Sequence, residues 1–170
     1  MFGSLMQSVG VLNFGIGGDR TQHVLWRIDN GELDFGPHIV VVCIGTNNIY
    51  AQTEDQIAEG IEAVVKAIRH RLPSAHVVVV DVPPRDPELG DLRQIVVDIN
   101  EKMRQRLQSK HDPMVTFVGE TFTRDLINPV DGKISAQDMY DFLHFTELGY
   151  RKFCRPIVEE IDRLLGPIVG

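Results

Sequence analysis

Runs of β-branched and other apolar residues recur along the chain and alternate with segments of helical periodicity. Four runs of five to seven residues are bounded by turn-forming residues, which is typical of buried strands in a parallel sheet. The pattern therefore predicts four parallel strands, at Val11–Ile16, His38–Ile44, His76–Val82 and Met114–Val118.

Three segments between and after these runs have apolar residues at helical spacing. The first runs from Ile57 to Leu72, follows the capping box Thr53-x-x-Gln56 and stops before Pro73. The second extends from Leu92 to Leu107. The third follows Thr146 and ends at Gly166-Pro167, so three amphipathic helices are predicted.

The alternation of strands and helices, without repeats or low-complexity tracts, predicts a three-layer α/β domain. In such folds, ligands bind at the carboxyl ends of the parallel strands. Turn residues at 83–90 and 128–132 indicate surface loops, not linkers between domains. The second loop leads directly toward Asp141 and His144.

The amino-acid composition limits the kinds of binding partner and the cellular setting that we expect for this protein. The 170 residues include 24 acidic and 17 basic side chains, and the net charge of −7 disfavours nucleic acid and anionic membranes. No apolar run is long enough to cross a bilayer and no leader pattern opens the chain, so we expect a soluble, cytoplasmic protein without a transmembrane segment. Cys43 and Cys154 fit neither a disulfide framework nor a metal site, and both are expected to be buried free thiols.

A glycine cluster, Gly15-Ile16-Gly17-Gly18-Asp19, follows the first predicted strand. Its glycines allow a sharp turn and leave backbone N–H groups free to face an anion or a developing oxyanion. Arg20 stands where a dinucleotide-binding motif needs a third glycine, and the Lys-Ser/Thr of a P-loop is absent. Close packing alone also accounts for the glycines, so the cluster is either a turn that binds an anion or oxyanion or a purely structural turn.

A second cluster, Gly45-Thr46-Asn47-Asn48, follows the second predicted strand. An Asn side chain at such a position can donate an N–H group to the oxyanion of an acyl-transfer reaction. Asn and Gly are also ordinary turn residues, and on its own this cluster fits a plain turn better.

The third cluster, Asp141-Phe142-Leu143-His144, lies just before the last predicted helix. At this spacing the carboxylate can accept a hydrogen bond from Nδ1 of the imidazole and leave Nε2 free to act as a general base. The other five histidines have no carboxylate at a comparable position, and none of the six has the spacing of a metal site.

Five segments of the chain form a longer ordered pattern: Leu12–Asp19, Val24–Arg27, Asn30–Leu33, Gly45–Asn48 and Asp138–His144. Together they resemble the catalytic α subunits of intracellular platelet-activating factor acetylhydrolase, within the SGNH (GDSL-like) hydrolases. The resemblance implies a flavodoxin-like parallel sheet flanked by helices, and removal of a short acyl group from a phospholipid by a Ser-His-Asp triad without a metal or organic cofactor.

The resemblance also assigns roles to single residues. It implies that Gly18 and Asn47 stabilise the oxyanion, and that Asp141 and His144 are the acid and base of the triad. It further implies that Thr46 and Leu143 narrow the acyl pocket. By the same analogy the partners are a related subunit, in a homo- or heterodimer, and a β-propeller regulator of dynein.

The chain departs from the family pattern at its N-terminus. Family members carry a strand that ends in Gly-Asp-Ser, with the nucleophilic serine, ahead of the glycine cluster. Neither Ser4 nor Ser8 follows an Asp or a strand, so neither is expected to be the nucleophile. We therefore expect one SGNH-like domain over residues 1–170 that lacks the first strand and is either an incomplete hydrolase or a catalytically inactive subunit. The missing strand would lie between Val11–Ile16 and His38–Ile44, and its loss is expected to cost on the order of 8–15 kcal/mol of burial.

Overall fold

The computed structural model describes residues 10–166. Helices and strands alternate along them, with one short 3-10 helix after the first strand. In chain order the elements are α1 Thr21–Asp29, β1 Ile39–Val42, the 3-10 helix Thr46–Asn48, α2 Glu54–Arg71, β2 His76–Val80, α3 Asp91–Gln108, β3 Val115–Val118, α4 Glu120–Leu126 and α5 Glu147–Leu165.

The three strands form one parallel sheet in the order β1-β2-β3. Val77 of β2 lies opposite Val40 on one side and Val115 on the other. Three of the four predicted strands are thereby confirmed. Because the strands are parallel, the segments that follow them, including Gly45–Asn48, emerge at one edge of the sheet.

Alternate residues of β2 enter two different cores. Val77 and Val79 belong to a cluster with α2 and α3, while Val78 and Val80 belong to a second cluster with α4 and α5. All four side chains are at most 1% exposed. Since successive side chains of a strand point to opposite faces, the sheet is covered on both faces and the three predicted layers are confirmed.

The predicted helices are confirmed together with their end signals. The Thr53 hydroxyl accepts a hydrogen bond from the Gln56 amide, and the Gln56 side chain accepts one from the Thr53 amide, which caps α2. Thr146 caps α5 by accepting from the Gly149 amide. The apolar periodicity did not predict α1 and α4, which are only nine and seven residues long. No helix within residues 10–166 is long and apolar enough to cross a membrane.

The predicted strand Val11–Ile16 is wrong. The segment is exposed and contains no helix or strand, with Leu12 62% and Ile16 57% exposed. A strand needs a neighbouring strand for its backbone N–H and C=O groups and a layer to cover its side chains. Within residues 10–166 neither is present, and β1 pairs only with β2.

The two cysteines have different environments. Cys154 on α5 is buried, and its burial raises the pKa of its thiol to about 11. Cys43 lies just past β1 and is exposed, as is Val41 within the strand. The prediction of a buried thiol is therefore confirmed for Cys154, whereas among the described residues no side chain covers Cys43 at this part of β1.

Candidate active site

Asp141 and His144 face each other in a tight loop before α5, within residues 138–146, which we call the base loop. Oδ2 of Asp141 lies 2.8 Å from Nδ1 of His144. Oδ1 accepts hydrogen bonds from the backbone amides of His144 at 2.7 Å and Leu143 at 3.1 Å. Phe142 has a φ of 58°, a left-handed conformation that turns the chain back within this short segment. The loop therefore wraps three donors around one carboxylate.

These donors hold the Asp141 carboxyl in its ionised form. The backbone hydrogen bond from His144 is the largest contribution and the bond from its ring is the next, and together they lower the pKa of Asp141 from 3.8 to about 2. Because an ionised carboxylate only accepts hydrogen bonds, Nδ1 of His144 is the donor. Nε2 is then left as the proton acceptor of the neutral ring.

Hydrogen bonds and an ion pair hold the base loop on both sides of Asp141 and His144. The Thr146 amide donates to the Asp138 carbonyl at 2.9 Å, and the Tyr140 amide donates to the His144 carbonyl at 3.2 Å. Met139 is completely buried, and the buried carboxylate of Asp138 pairs with Lys152 at 2.7 Å. The His144 ring is exposed, but the residues beneath it in the loop, Met139 and Asp138, are buried and held by contacts with the rest of the protein.

Asn47 lies at the carboxyl edge of the sheet, in the 3-10 helix after β1. Gly45 begins this turn with a φ of 126°, and a Cβ there would lie 3.2 Å from Ile57 and Val82, so only glycine fits. Nδ2 of Asn47 donates to the Asp19 carbonyl at 2.9 Å. This bond uses one of two amide N–H groups and places Asn47 beside the glycine cluster.

Gly18 stands immediately before Asp19, with a φ of 82° and open space around it. The carboxylate of Asp19 pairs with Arg27, which also pairs with Glu32. The two predicted oxyanion donors, Gly18 and Asn47, are therefore brought to one place through Asp19.

Asn48 differs from its neighbour Asn47 in being fully buried. Its Oδ1 accepts from the Thr21 amide at 3.2 Å, and its Nδ2 donates to the Thr21 hydroxyl at 3.2 Å and to Gln22 at 3.1 Å. Asn48 therefore fixes the start of α1 against the end of β1. Of the two adjacent asparagines, only Asn47 is partly exposed and available to a substrate.

Arg85 and Asp86 connect the two halves of the site. Nη1 of Arg85 lies 3.3 Å from both the carbonyl and the hydroxyl of Thr46, next to Asn47. The Asp86 amide donates to the Phe142 carbonyl, between Asp141 and His144, at 3.0 Å. The loop after β2 thus contacts both the oxyanion side and the base loop, and Thr46 and Leu143 lie at its two contact regions.

Arg93 on α3 holds this connecting loop in place. It is only 3% exposed and donates to the carbonyls of Arg85, Asp86 and Gly132. Sequence reasoning assigned no role to Arg85 or Arg93. The available signal was the position of Pro83-Pro84-Arg85 directly after a buried strand, at the edge where ligands bind.

No serine hydroxyl of residues 10–166 is bonded to His144. Ser109 donates to the Arg106 carbonyl at the end of α3, and Ser135 accepts from the Gln137 amide in a loop. Ser74 lies in the turn between α2 and β2. Ser4 and Ser8 lie outside the described residues.

Comparison with known proteins shows the family of the chain. The model of the GDSL-like lipase/acylhydrolase family matches residues 2–152. The platelet-activating factor acetylhydrolase IB subunit alpha2 of Rattus norvegicus is 41% identical over 95% of this chain and 68% of its own length. The subunit alpha1 of Pongo abelii is 43% identical over 98% of this chain and 70% of its own length.

The fold has a counterpart among solved structures. A GDSL-like lipase from Bacteroides thetaiotaomicron superposes with a TM-score of 0.79, covering 95% of this chain and 80% of that chain at 19% identity. The fold and the family match point to the same group of hydrolases. The chain belongs to the GDSL-like lipase/acylhydrolase family and is a relative of the α subunits of platelet-activating factor acetylhydrolase IB.

Proposed function

We propose that the site acts as the base and oxyanion part of a serine ester hydrolase. The observation that carries this proposal is the Asp141–His144 pair, with 2.8 Å between Oδ2 and Nδ1 and the carboxylate further fixed by two backbone amides. Asp141 sets the tautomer of the ring and stabilises the imidazolium that forms during the reaction. Asn47 and Gly18 supply N–H groups to the oxyanion.

In the proposed reaction Nε2 of His144 removes the proton of a serine hydroxyl as its oxygen attacks the ester carbonyl. The carbonyl oxygen becomes an oxyanion beside Asn47 and Gly18. His144 then returns the proton to the departing alcohol, and a water molecule releases the acyl group by the same steps. The serine comes from outside residues 10–166, since none within them is bonded to His144.

The proposed substrate is a phospholipid ester with a short acyl group, such as the acetyl ester of platelet-activating factor. Support comes from the names of the relatives, which are acetylhydrolase subunits. Thr46 precedes Asn47 and Leu143 precedes His144 in the chain, so in this proposal their side chains limit the space for the acyl chain. A cytoplasmic location and a dimer with a related subunit belong to the same proposal.

Hydrolysis of 4-nitrophenyl acetate by the purified 170-residue chain and by its His144→Ala variant tests where the nucleophile lies. Equal rates are expected, because residues 10–166 offer His144 no serine and neither Ser4 nor Ser8 stands in a Gly-Asp-Ser sequence. A large rate that depends on His144 would show that the chain contains its own nucleophile. Mass spectrometry of a fluorophosphonate adduct would then locate that serine.

A second function is favoured by the same lack of a serine partner for His144 among the described residues. The chain would then be a non-catalytic subunit that dimerises with an intact relative or binds a β-propeller regulator of dynein. Co-purification of the tagged chain with an intact α subunit, compared with the tag alone, tests it. Recovery of a stoichiometric complex with the tagged chain but not with the tag supports this function, and recovery of the tagged chain without the α subunit contradicts dimerisation.

A further inference from the structure

Arg85 is a buried arginine at the carboxyl edge of the sheet that has no acidic partner among residues 10–166. The residue is 7% exposed. Its Nη1 approaches the Thr46 carbonyl and hydroxyl at 3.3 Å, and its Nη2 approaches the Tyr50 hydroxyl at 3.2 Å. Nε is buried and has no hydrogen-bond partner in the described part of the chain. All three contacts are long and all the acceptors are neutral.

Such an arrangement is costly for a structural arginine. A guanidinium carries five N–H groups, and a buried charge without a counter-charge or a full set of acceptors is strongly unfavourable. Arg93 shows how this protein satisfies a buried structural arginine, since its donors reach three backbone carbonyls. Arg85 lacks an equivalent set, which indicates that the bond partners of its charge come from a ligand.

The position of Arg85 places that ligand inside the candidate site. Its side chain contacts Thr46, the neighbour of Asn47, and the next amide of the chain is bonded to Phe142 in the base loop. The ring of Tyr50 covers the guanidinium at 5.3 Å. Tyr50 is 73% exposed, so this cover lies at the surface and can move aside.

We propose that Arg85 binds an anionic oxygen group of the substrate, so that the site selects esters with a phosphate or carboxylate group near the scissile bond. The Nε–H and an N–H of Nη2 form a side-on pair that matches two oxygens of such a group, which a lysine cannot offer. The ester part of this statement rests on the proposed hydrolase function. The binding of an anion does not, and it can be measured without catalysis.

The test is an NMR titration of the Arg85 Nε–H signal in the 170-residue chain, assigned in the isotope-labelled wild-type protein by through-bond correlations along the Arg85 side chain. The probes are glycerophosphocholine, which carries a phosphate diester, and sodium acetate, with choline chloride as the probe without an oxyanion. A saturable shift of this signal with glycerophosphocholine identifies a phosphate subsite, and one with acetate alone identifies a carboxylate subsite. No saturable shift with either anion overturns the proposal.

Variants separate this site from general attraction of anions to the surface. Arg85→Lys keeps the charge but loses the paired N–H groups, and the affinity for the effective anion, followed at the Asn47 side-chain amide, is expected to fall about tenfold or more. The matched control is Arg124→Gln, since Arg124 is exposed on α4 and is expected to leave the affinity unchanged. An equal loss in both variants would contradict a specific subsite. Because the wild-type signal alone decides whether the anion reaches Arg85, poor folding of either variant leaves the proposal falsifiable.

Discussion

The base loop and the glycine segment, residues 11–19, both lie outside regular structure, yet they are held very differently. The base loop has a completely buried Met139, a buried ion pair at Asp138 and a carboxylate with three donors. In the glycine segment residues 11–18 are exposed, and the contacts concentrate at Asp19.

The two halves of the site therefore differ in how far their geometry depends on distant parts of the chain. Asp141 and His144 are neighbours in the chain, and most of the bonds that hold them lie within the loop itself and α5, with one further bond from the Asp86 amide. The position of Gly18 depends on a residue far along the chain, because the next residue, Asp19, is held by a hydrogen bond from Asn47, 28 residues away. The base half of the site is therefore expected to stay formed under conditions in which the oxyanion half loosens.

The largest expected effect is on stability, when apolar side chains are truncated in the two regions. Met139→Ala removes a completely buried side chain and is expected to lower the free energy of unfolding by about 2–5 kcal/mol. Ile16→Ala, at a residue that is 57% exposed, is expected to change it by less than about 0.5 kcal/mol. Urea denaturation measures both. A comparable loss at Ile16 would show that the glycine segment is packed in solution.

A somewhat smaller loss is expected when the ion pair beneath the base loop is broken. Lys152→Met leaves the buried Asp138 carboxylate without its cation, at a cost of about 1–3 kcal/mol. Arg151 is the residue before Lys152 and forms an exposed ion pair with Glu147. Arg151→Met breaks that pair and is expected to lower the free energy of unfolding by less than about 1 kcal/mol. Equal thermal unfolding midpoints for the two variants would contradict the proposed support of the loop by Asp138.

Hydrogen exchange compares the two regions without any substitution. The Phe142 and Thr146 amides are bonded to the Met139 and Asp138 carbonyls at 3.1 and 2.9 Å. They are expected to exchange about tenfold or more slowly than the exposed amides of Gly17 and Gly18, after correction for intrinsic rates. Equal protection measured by NMR would contradict the difference in support.

The smallest expected effect is the acid titration of Asp141. Its pKa in the folded protein, about 2, is below the ordinary value of 3.8, so its contribution to stability is complete above about pH 4 and is lost as the pH falls through 2. A carboxyl 13C titration is expected to show this low midpoint. In His144→Ala the midpoint is expected to rise toward the ordinary value, because the ring no longer donates to the carboxylate. A midpoint near 4 in the wild-type protein would contradict the hydrogen-bonded geometry.

The sequence predicted those features whose causes are local. The cap at Thr53, the end of α2 before Pro73 and the Asp141–His144 pair follow from residues within a few positions of each other. Val11–Ile16 has the same composition as a buried strand, but strand formation depends on partners, which the pattern of one segment does not contain. Arg85 was missed for the same reason, because its contact with Thr46 joins residues 39 positions apart.

His144 is proposed to be the general base of an ester-hydrolase site whose nucleophile lies outside residues 10–166. The most direct measurement joins a strand segment that ends in Gly-Asp-Ser, following the family pattern, to the N-terminus of this chain, confirms cooperative unfolding, and compares kcat/KM for an acetyl ester with and without His144→Ala. A loss of about 1,000-fold or more is expected for His144→Ala, matched by replacement of the added serine with alanine. Hydrolysis that needs the added serine but is unchanged in His144→Ala would contradict it.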